Sequence, residues 1–205
     1  MMRLDVATLS VHTGKAAAVQ AGIEQHFKTG KRAGTLCASW TSEIGGLNRV
    51  LVLRAFEDSD AMHAERERML VSGDIFGASE HLSDVTFEAY TPFPYFPPQL
   101  AGSFGGVYEF RVYGIKPTGI KPVLAAWETA LPPRTRLSPI VFVGYALEGV
   151  TPRMLHICPY RDLAERTRIR AEAVASGEWP PKGGPDWLTV MDSTICIPAA
   201  FSPLR

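Results

Sequence analysis

At 205 residues, the chain is long enough to bury a real core as one large domain or two small ones. Its 21 lysines and arginines balance 21 aspartates and glutamates, so no net field draws it to nucleic acid or to an anionic membrane, and nucleic-acid binding is set aside. No apolar run approaches the roughly 18 residues that suggest a membrane span. Met1-Met2-Arg3-Leu4-Asp5 brings an acid in at once, unlike a signal or transit peptide, so the expectation is a soluble, cytoplasmic protein.

Along the chain, Arg3 to Val11 has an imperfect period of two and reads as a strand. Thr13 is positioned to cap the helix that follows, where Ala16, Val19, Ile23 and Phe27 fall on one helical face. Gly30 and Gly34 end it. Thr35 to Ser42 and Arg49 to Phe56 form a hairpin across the turn residues Gly45-Gly46-Leu47-Asn48. Asp58 caps a second helix through Met62, Met69 and Leu70, on which Glu65-Arg66-Glu67-Arg68 reads as a solvated face. Val85, Phe87 and Ala89 alternate in a fourth strand. Six elements in about ninety residues give the order β-α-β-β-α-β of a ferredoxin-like unit.

Thr91 to Pro98 carries four prolines; lacking amide donors, it is expected not to extend the sheet and to form an extended linker with its aromatic residues on the surface. Beyond Gly102–Gly106 the program restarts. Val107 to Tyr113 alternates as a strand; Ile120, Val123, Leu124, Trp127 and Leu131 form a helical stripe, which Pro132-Pro133 is expected to end. Ile140 to Leu147 and Arg153 to Cys158 make the hairpin, Asp162 opens a helix with Glu165 at capping-box spacing, and Leu188 to Ile197 supplies the last strand after an irregular stretch from Trp179 to Trp187.

Matching residues recur at a nearly constant distance. Thr13-Gly14 returns as Thr118-Gly119 after 105 residues, and Arg49, Asp58 and Arg66 return as Arg153, Asp162 and Arg170 after 104. A common offset with a common order of elements marks an internal duplication. The expected fold is therefore α+β, with tandem ferredoxin-like repeats packed sheet to sheet as a barrel-type pseudo-dimer, helices outside and a cavity between. The boundaries are 1–91 for the first unit, 92–105 for the linker and 106–205 for the second unit.

Tyr108-Glu109-Phe110-Arg111-Val112-Tyr113, Tyr160-Arg161-Asp162-Leu163-Ala164-Glu165-Arg166, and Met191-Asp192-Ser193 running to Pro198-Ala199-Ala200-Phe201-Ser202-Pro203 together resemble the NIPSNAP family. The match is best from Val107 to Pro203. In the first half, Arg3-Leu4-Asp5 stands where the second has Tyr108-Glu109-Phe110, a departure that bears on any pocket lined equally by both halves. The resemblance implies the dimeric α+β-barrel superfamily, whose members include cofactor-free monooxygenases, haem-degrading enzymes, isomerases and proteins without an assigned activity. Fold analogy does not choose among these.

The strand alternation supplies candidate residues. Tyr108, Phe110 and Val112 share one face and Glu109, Arg111 and Tyr113 the other. The apolar set is expected to meet the helices, which turns Glu109, Arg111 and Tyr113 into the barrel. Parity groups Met154, His156 and Cys158, and separately Val190, Asp192, Thr194 and Cys196. If these too face inward, Glu109 and His156 are the proton-transfer candidates, and Arg111, Tyr113 and Asp192 the ligand-binding ones. Pairing of Arg111 with Glu109 or Asp192 as a purely structural device stands beside that reading.

His63 and Glu67 have i,i+4 spacing, but a third ligand is not evident, so no metal site is assigned. Cys37, Cys158 and Cys196 are dispersed and read as buried thiols. Nothing in the sequence requires a cofactor. Two functions stay open: a cavity protein binding a small polar molecule, with monooxygenase- or isomerase-like catalysis, or a non-catalytic interaction module working through Thr91–Pro98 or Trp179–Trp187. Homo-oligomerisation is compatible with either.

Overall fold

The computed structural model describes residues 1–30, 33–177 and 179–205. In chain order the first half contains β1 (Arg3–Val11), α1 (Ala16–Thr29), β2 (Thr35–Ile44), β3 (Arg49–Phe56), α2 (Ser59–Ser72) and β4 (Leu82–Pro92). The second repeats the order as β5 (Val107–Ile115), α3 (Ile120–Leu137), β6 (Phe142–Ala146), β7 (Arg153–Tyr160), α4 (Leu163–Ala175) and β8 (Leu188–Pro198). Corresponding first residues of β1/β5, α1/α3, β3/β7 and α2/α4 lie 104 apart, and those of β4/β8 lie 106 apart. The duplication read from scattered identities is thus carried through the architecture. True register sets Asp5 against Glu109, one position away from the alignment of Arg3-Leu4-Asp5 with Tyr108-Glu109-Phe110.

The strands close into one barrel in the order β1-β3-β2-β8-β5-β7-β6-β4, antiparallel throughout. Two seams join the halves. At one, β2 meets β8 from Trp40–Pro198 to Ile44–Ile195; at the other, β4 meets β6 only through Thr91–Tyr145 and Pro92–Gly144.

Strand parity assigns one set of residues to the lumen and the other to the helical layers. The expected orientation of β5 is inverted: Tyr108 and Phe110 pack in the lumen with Leu4, Trp40, Leu53, Leu155 and Ile157. Tyr113, with Met154 and Cys158 of β7, packs instead under Val123 and Trp127 of α3 and Ile169 of α4. In the first half, Leu9 and Val52 meet Val19 and Ile23 of α1 and Met69 of α2. The lumen is apolar because its lower part is filled: Trp40 stacks edge-on to Phe110 at 5.0 Å and lies 5.3 Å from Tyr108. Burying a side chain of this size contributes roughly 1.5–3 kcal/mol, and a lumen lined by Glu109 and Arg111 would forgo that.

The segment beyond β4 also departs from expectation. Pro92 does extend the sheet, and Phe93 is buried against Trp127 and Tyr145. Alternate amides of a strand point to alternate neighbours. Phe93 gives its amide to Val143, so the donor missing at Pro92 would have faced the β1 side, where pairing ends at Leu4–Tyr90. Tyr95 donates its hydroxyl to Leu124 O on α3. Further on, Leu100, Phe104 and the buried Leu204 close the floor of the barrel, tied by Leu204 N to Cys37 O at 3.0 Å and Ser39 N to Ser202 Oγ at 3.0 Å.

Both second helices start as expected: Asp58 accepts from Ala61 N at 2.9 Å, and Asp162 from Glu165 N at 2.7 Å. Thr13 is not a cap, since α1 begins after Lys15. Nor do Pro132 and Pro133 end α3, which continues to Leu137. Thr135 Oγ1 donates to Leu131 O at 2.9 Å and the buried Arg134 donates to Ser138 O, so side chains hold a turn in which two amides are lacking. Among the described residues no helix is long and apolar enough to cross a membrane.

Candidate functional site

Because the floor is filled and the other end is not, the barrel encloses a one-ended cavity of about 490 Å³. Val6 of β1, Leu51 of β3, Phe110 and Val112 of β5 and Leu155 of β7 give it apolar walls. Polar groups lie toward the mouth: Thr8, Arg49, Glu88, Asp192 and Thr194. The β2–β3 turn forms part of the rim. Gly45 there has φ +110, a conformation that favours glycine, and a Cβ at Gly46 would collide with the Arg49 guanidinium. A second opening of about 650 Å³ adjoins the first through Glu88, Val112 and Asp192, and continues past Glu148 and Arg153.

This opening exists because β4 leaves β6 after two residue pairs. Side chains bridge the gap that backbone pairing leaves. Glu148 accepts the Ala89 amide at 2.8 Å, and Arg153 Nη2 meets Glu88 Oε1 at 2.7 Å. Arg153 Nη1 is given to Val150 O at 2.8 Å and to Glu148 O, while its buried Nε has no partner. Tyr90, fully buried, points its hydroxyl toward Glu88 Oε2 at 3.4 Å, and the Arg153 guanidinium stands 5.6 Å from its ring centroid. Burial pushes the Tyr90 phenol well above its ordinary value, with the Glu88 charge adding to that shift. Burial opposes the charge on Arg153, but Tyr90 and Glu88 outweigh it and leave the guanidinium more basic than usual. The result is a carboxylate, a neutral phenol and a cation in contact with one another at the wall of an apolar cavity. Such a group can hold a polar head and move a proton.

Of the five candidates from the sequence, only Asp192 lines this cavity. Glu109, Arg111 and Tyr113 share a face, as parity indicated, and His156 of β7 joins them, but in the layer between the sheet and α3/α4 and not in the lumen. Arg111 pairs in register with His156, and Asp192 is opposite Val112 on the other face. An Arg111–Asp192 pair is therefore ruled out by the pleat. Glu109, fully buried, accepts from Arg166 Nη2 of α4 at 2.6 Å and Ser193 Oγ at 2.7 Å. Arg111 Nε stays 3.7 Å from the carboxylate, too far for a good hydrogen bond, and its guanidinium stands 5.3 Å from the Tyr113 ring centroid. Burial pushes the Tyr113 phenol up to about 12. His156 packs against Tyr113 and Trp127. Burial, and then the Arg111 and Arg134 charges, hold its pKa well below the usual imidazole value.

The first half has the equivalent layer. Asp5 is fully buried and takes Arg54 of β3 on one oxygen and Arg66 of α2 on the other. The run Glu65–Arg68 is consequently not a fully solvated face: Glu65 is buried and Arg66 only 12% exposed. Glu88 and Tyr90 carry no signal of their own in the sequence, and Arg153 stands out only as the repeat of Arg49. That repeat was the available signal, because it puts an arginine at the start of each hairpin return and so at the barrel mouth in both halves. All three cysteines are buried and unpaired. Burial raises the thiols of Cys37 and Cys196 to about 12 and that of Cys158 to about 11.

The NIPSNAP family model matches the chain twice, at residues 4–97 and 108–203. Protein NipSnap homolog 3B of Mus musculus is 33% identical over 98 residues, covering 46% of this chain and 38% of that protein. The chain thus spans well under half the length of the mouse relative. Among solved structures, a Fusobacterium nucleatum protein named provisionally as a monooxygenase aligns with TM-score 0.69 and 11% identity, over 96% of this chain and 92% of that one. An anthrone oxidase-like protein aligns with TM-score 0.61 and 12% identity, over 97% and 91%. At such identities the likeness to these two is one of fold.

Proposed function

The chain belongs to the NIPSNAP family, and from that premise we propose that its barrel cavity binds a small molecule with an apolar body and a polar head, on which Glu88, Tyr90 and Arg153 carry out proton transfer. The observation that carries this reading is the one-ended cavity itself: about 490 Å³ lies within the range of about 300–1,000 Å³ in which proteins take up small ligands. Apolar walls suit the body of the ligand. Asp192 and Arg49 at the cavity, with Arg153 in the adjoining opening, suit its head.

Glu88 is the proton acceptor in this scheme. Arg153 orients its carboxylate at 2.7 Å, and Tyr90, whose phenol burial keeps protonated, donates to an oxygen on the ligand. Proton abstraction of that kind begins both a cofactor-free oxygenation and an isomerisation. The names of the two structural neighbours, one a provisional monooxygenase and one an anthrone oxidase-like protein, favour the first as the activity to assay.

The test is native mass spectrometry of the purified protein, with Val112→Trp as the comparison, because an indole at 112 would occupy the cavity. A small molecule held by the wild type and absent from a folded Val112→Trp protein is the expected result. Equal retention by both proteins would place the ligand elsewhere and overturn the proposal.

A further inference from the structure

The two helical layers differ in how their charges are matched. In the first, Asp5 offers one oxygen to Arg54 and the other to Arg66. In the second, Arg111 of β5, Arg134 of α3, and Arg166 and Arg170 of α4 converge on the same space. Among the described residues, Glu109 is the one carboxylate that ion pairs join to them. Arg166 takes it at 2.6 Å; Arg111 and Arg170 are left at 3.7 and 3.9 Å. Among the described residues Arg134 has no acidic partner there. It is buried, gives Nη1 to Ser138 Oγ at 2.8 Å and Nη2 to Tyr160 Oη at 3.3 Å, and stands 5.8 Å from the Trp179 ring.

Arg111, Arg134 and Arg170 line one small compartment of about 30 Å³, with His156 and Tyr160 in its wall. Among the described residues, two buried nitrogens of that lining have no partner, Arg111 Nε and His156 Nδ1, and His156 is 1% exposed. Unmatched cations and unspent donors in a buried space are costly unless a counter-charge enters. The compartment is not sealed, because Arg170 is 39% exposed and Val174 59% exposed at its edge. A planar two-oxygen anion matches guanidinium donors better than a spherical ion does.

We propose that this compartment between the second-half sheet and helices α3 and α4 is a binding site for a carboxylate-sized oxyanion, held by Arg111, Arg134 and Arg170 and separate from the barrel cavity. His156 faces the anion as a neutral ring and donates one hydrogen bond. Burial lowers its basicity first, and the Arg111 and Arg134 charges that lower it further supply the positive field that draws the anion in. Glu109 takes Arg166 most closely, which leaves Arg111 and Arg170 only loosely held and Arg134 bonded to uncharged groups alone.

The experiment compares thermal unfolding in formate with that in chloride at matched ionic strength. The wild type is expected to show a saturable rise of the midpoint in formate. Arg170→Gln, on the exposed edge, should raise the half-saturating concentration about tenfold, the scale of one charge-assisted hydrogen bond, and Arg111→Met should remove the response. Arg168→Gln, whose side chain pairs with Glu172 on the surface at 2.9 Å, should leave it intact, as should Val112→Trp in the barrel. Equal midpoints in the two salts, an unsaturating rise, an undiminished response in Arg170→Gln, or a response lost in Val112→Trp would each overturn the site.

Discussion

Asp5 and Glu109 stand 104 residues apart and occupy the same place in the two halves, each the buried acid of a first strand facing arginines of the second helix. Their partners differ in exposure. Arg54, beside Asp5, is 1% exposed, whereas Arg166 and Arg170, beside Glu109, are 25% and 39% exposed.

Removing the acid should therefore cost more in the first half. Asp5→Asn leaves Arg54 a buried, half-matched cation and is expected to lower stability by about 3–5 kcal/mol. Glu109→Gln strands side chains that can turn to solvent, and its cost is expected to be clearly smaller. Urea denaturation of the two variants measures this; equal losses would contradict the account of the two layers.

Tyr90→Phe isolates the role assigned to the cavity. The hydroxyl meets Glu88 at 3.4 Å and also interacts with Arg153, so its removal should cost about 1–3 kcal/mol. Ligand turnover should fall by at least roughly tenfold, the low end of what a positioned proton donor contributes. A folded Tyr90→Phe protein with unchanged turnover would remove Tyr90 from the mechanism.

The buried thiols predict a response to alkali. Their folded pKa values of about 11 to 12 lie above the free value of 9.0. The stability they contribute is thus fully present below pH 9 and is lost as pH rises through 11 and 12, because only the unfolded chain releases the proton easily. The buried Tyr113 acts in the same direction. At pH 8 a disulfide reagent should find no thiol in the native protein and three after denaturation. The unfolding midpoint should fall above pH 9, less steeply in Cys196→Ala. Rapid labelling of the native state would show that the core opens.

Much of this was legible in the sequence. The constant offset of Arg49/Arg153, Asp58/Asp162 and Arg66/Arg170 gave the duplication, and from it the barrel. Parity correctly put Glu109, Arg111 and Tyr113 on one face of β5, and the register with β7 brings His156 to the same side. It could not say which face was inside, because alternation fixes only relative orientation and both faces of β5 carry large side chains. The deciding fact is non-local: Arg166 and Arg170 on α4 come from far along the chain to meet Glu109, while Trp40 from the other half fills the lumen against Phe110. Pro92 misled for a related reason, since a missing amide matters only on the side where a neighbouring strand waits. Glu88 and Tyr90 bear no local motif, and their meaning depends on Arg153 reaching across from the other half.

The unequal seams have a mechanical consequence. A hoop closed by a longer backbone joint at β2–β8 and a two-pair joint at β4–β6 does not yield evenly when strained. Its compliance gathers at the short joint, where side chains of Arg153 and Glu148 act as the fastening. The wall beside the cavity is thus the stretch of the ring with the fewest ladder pairs, and under the proposed function it is the joint that a ligand would pass while seven others stay shut.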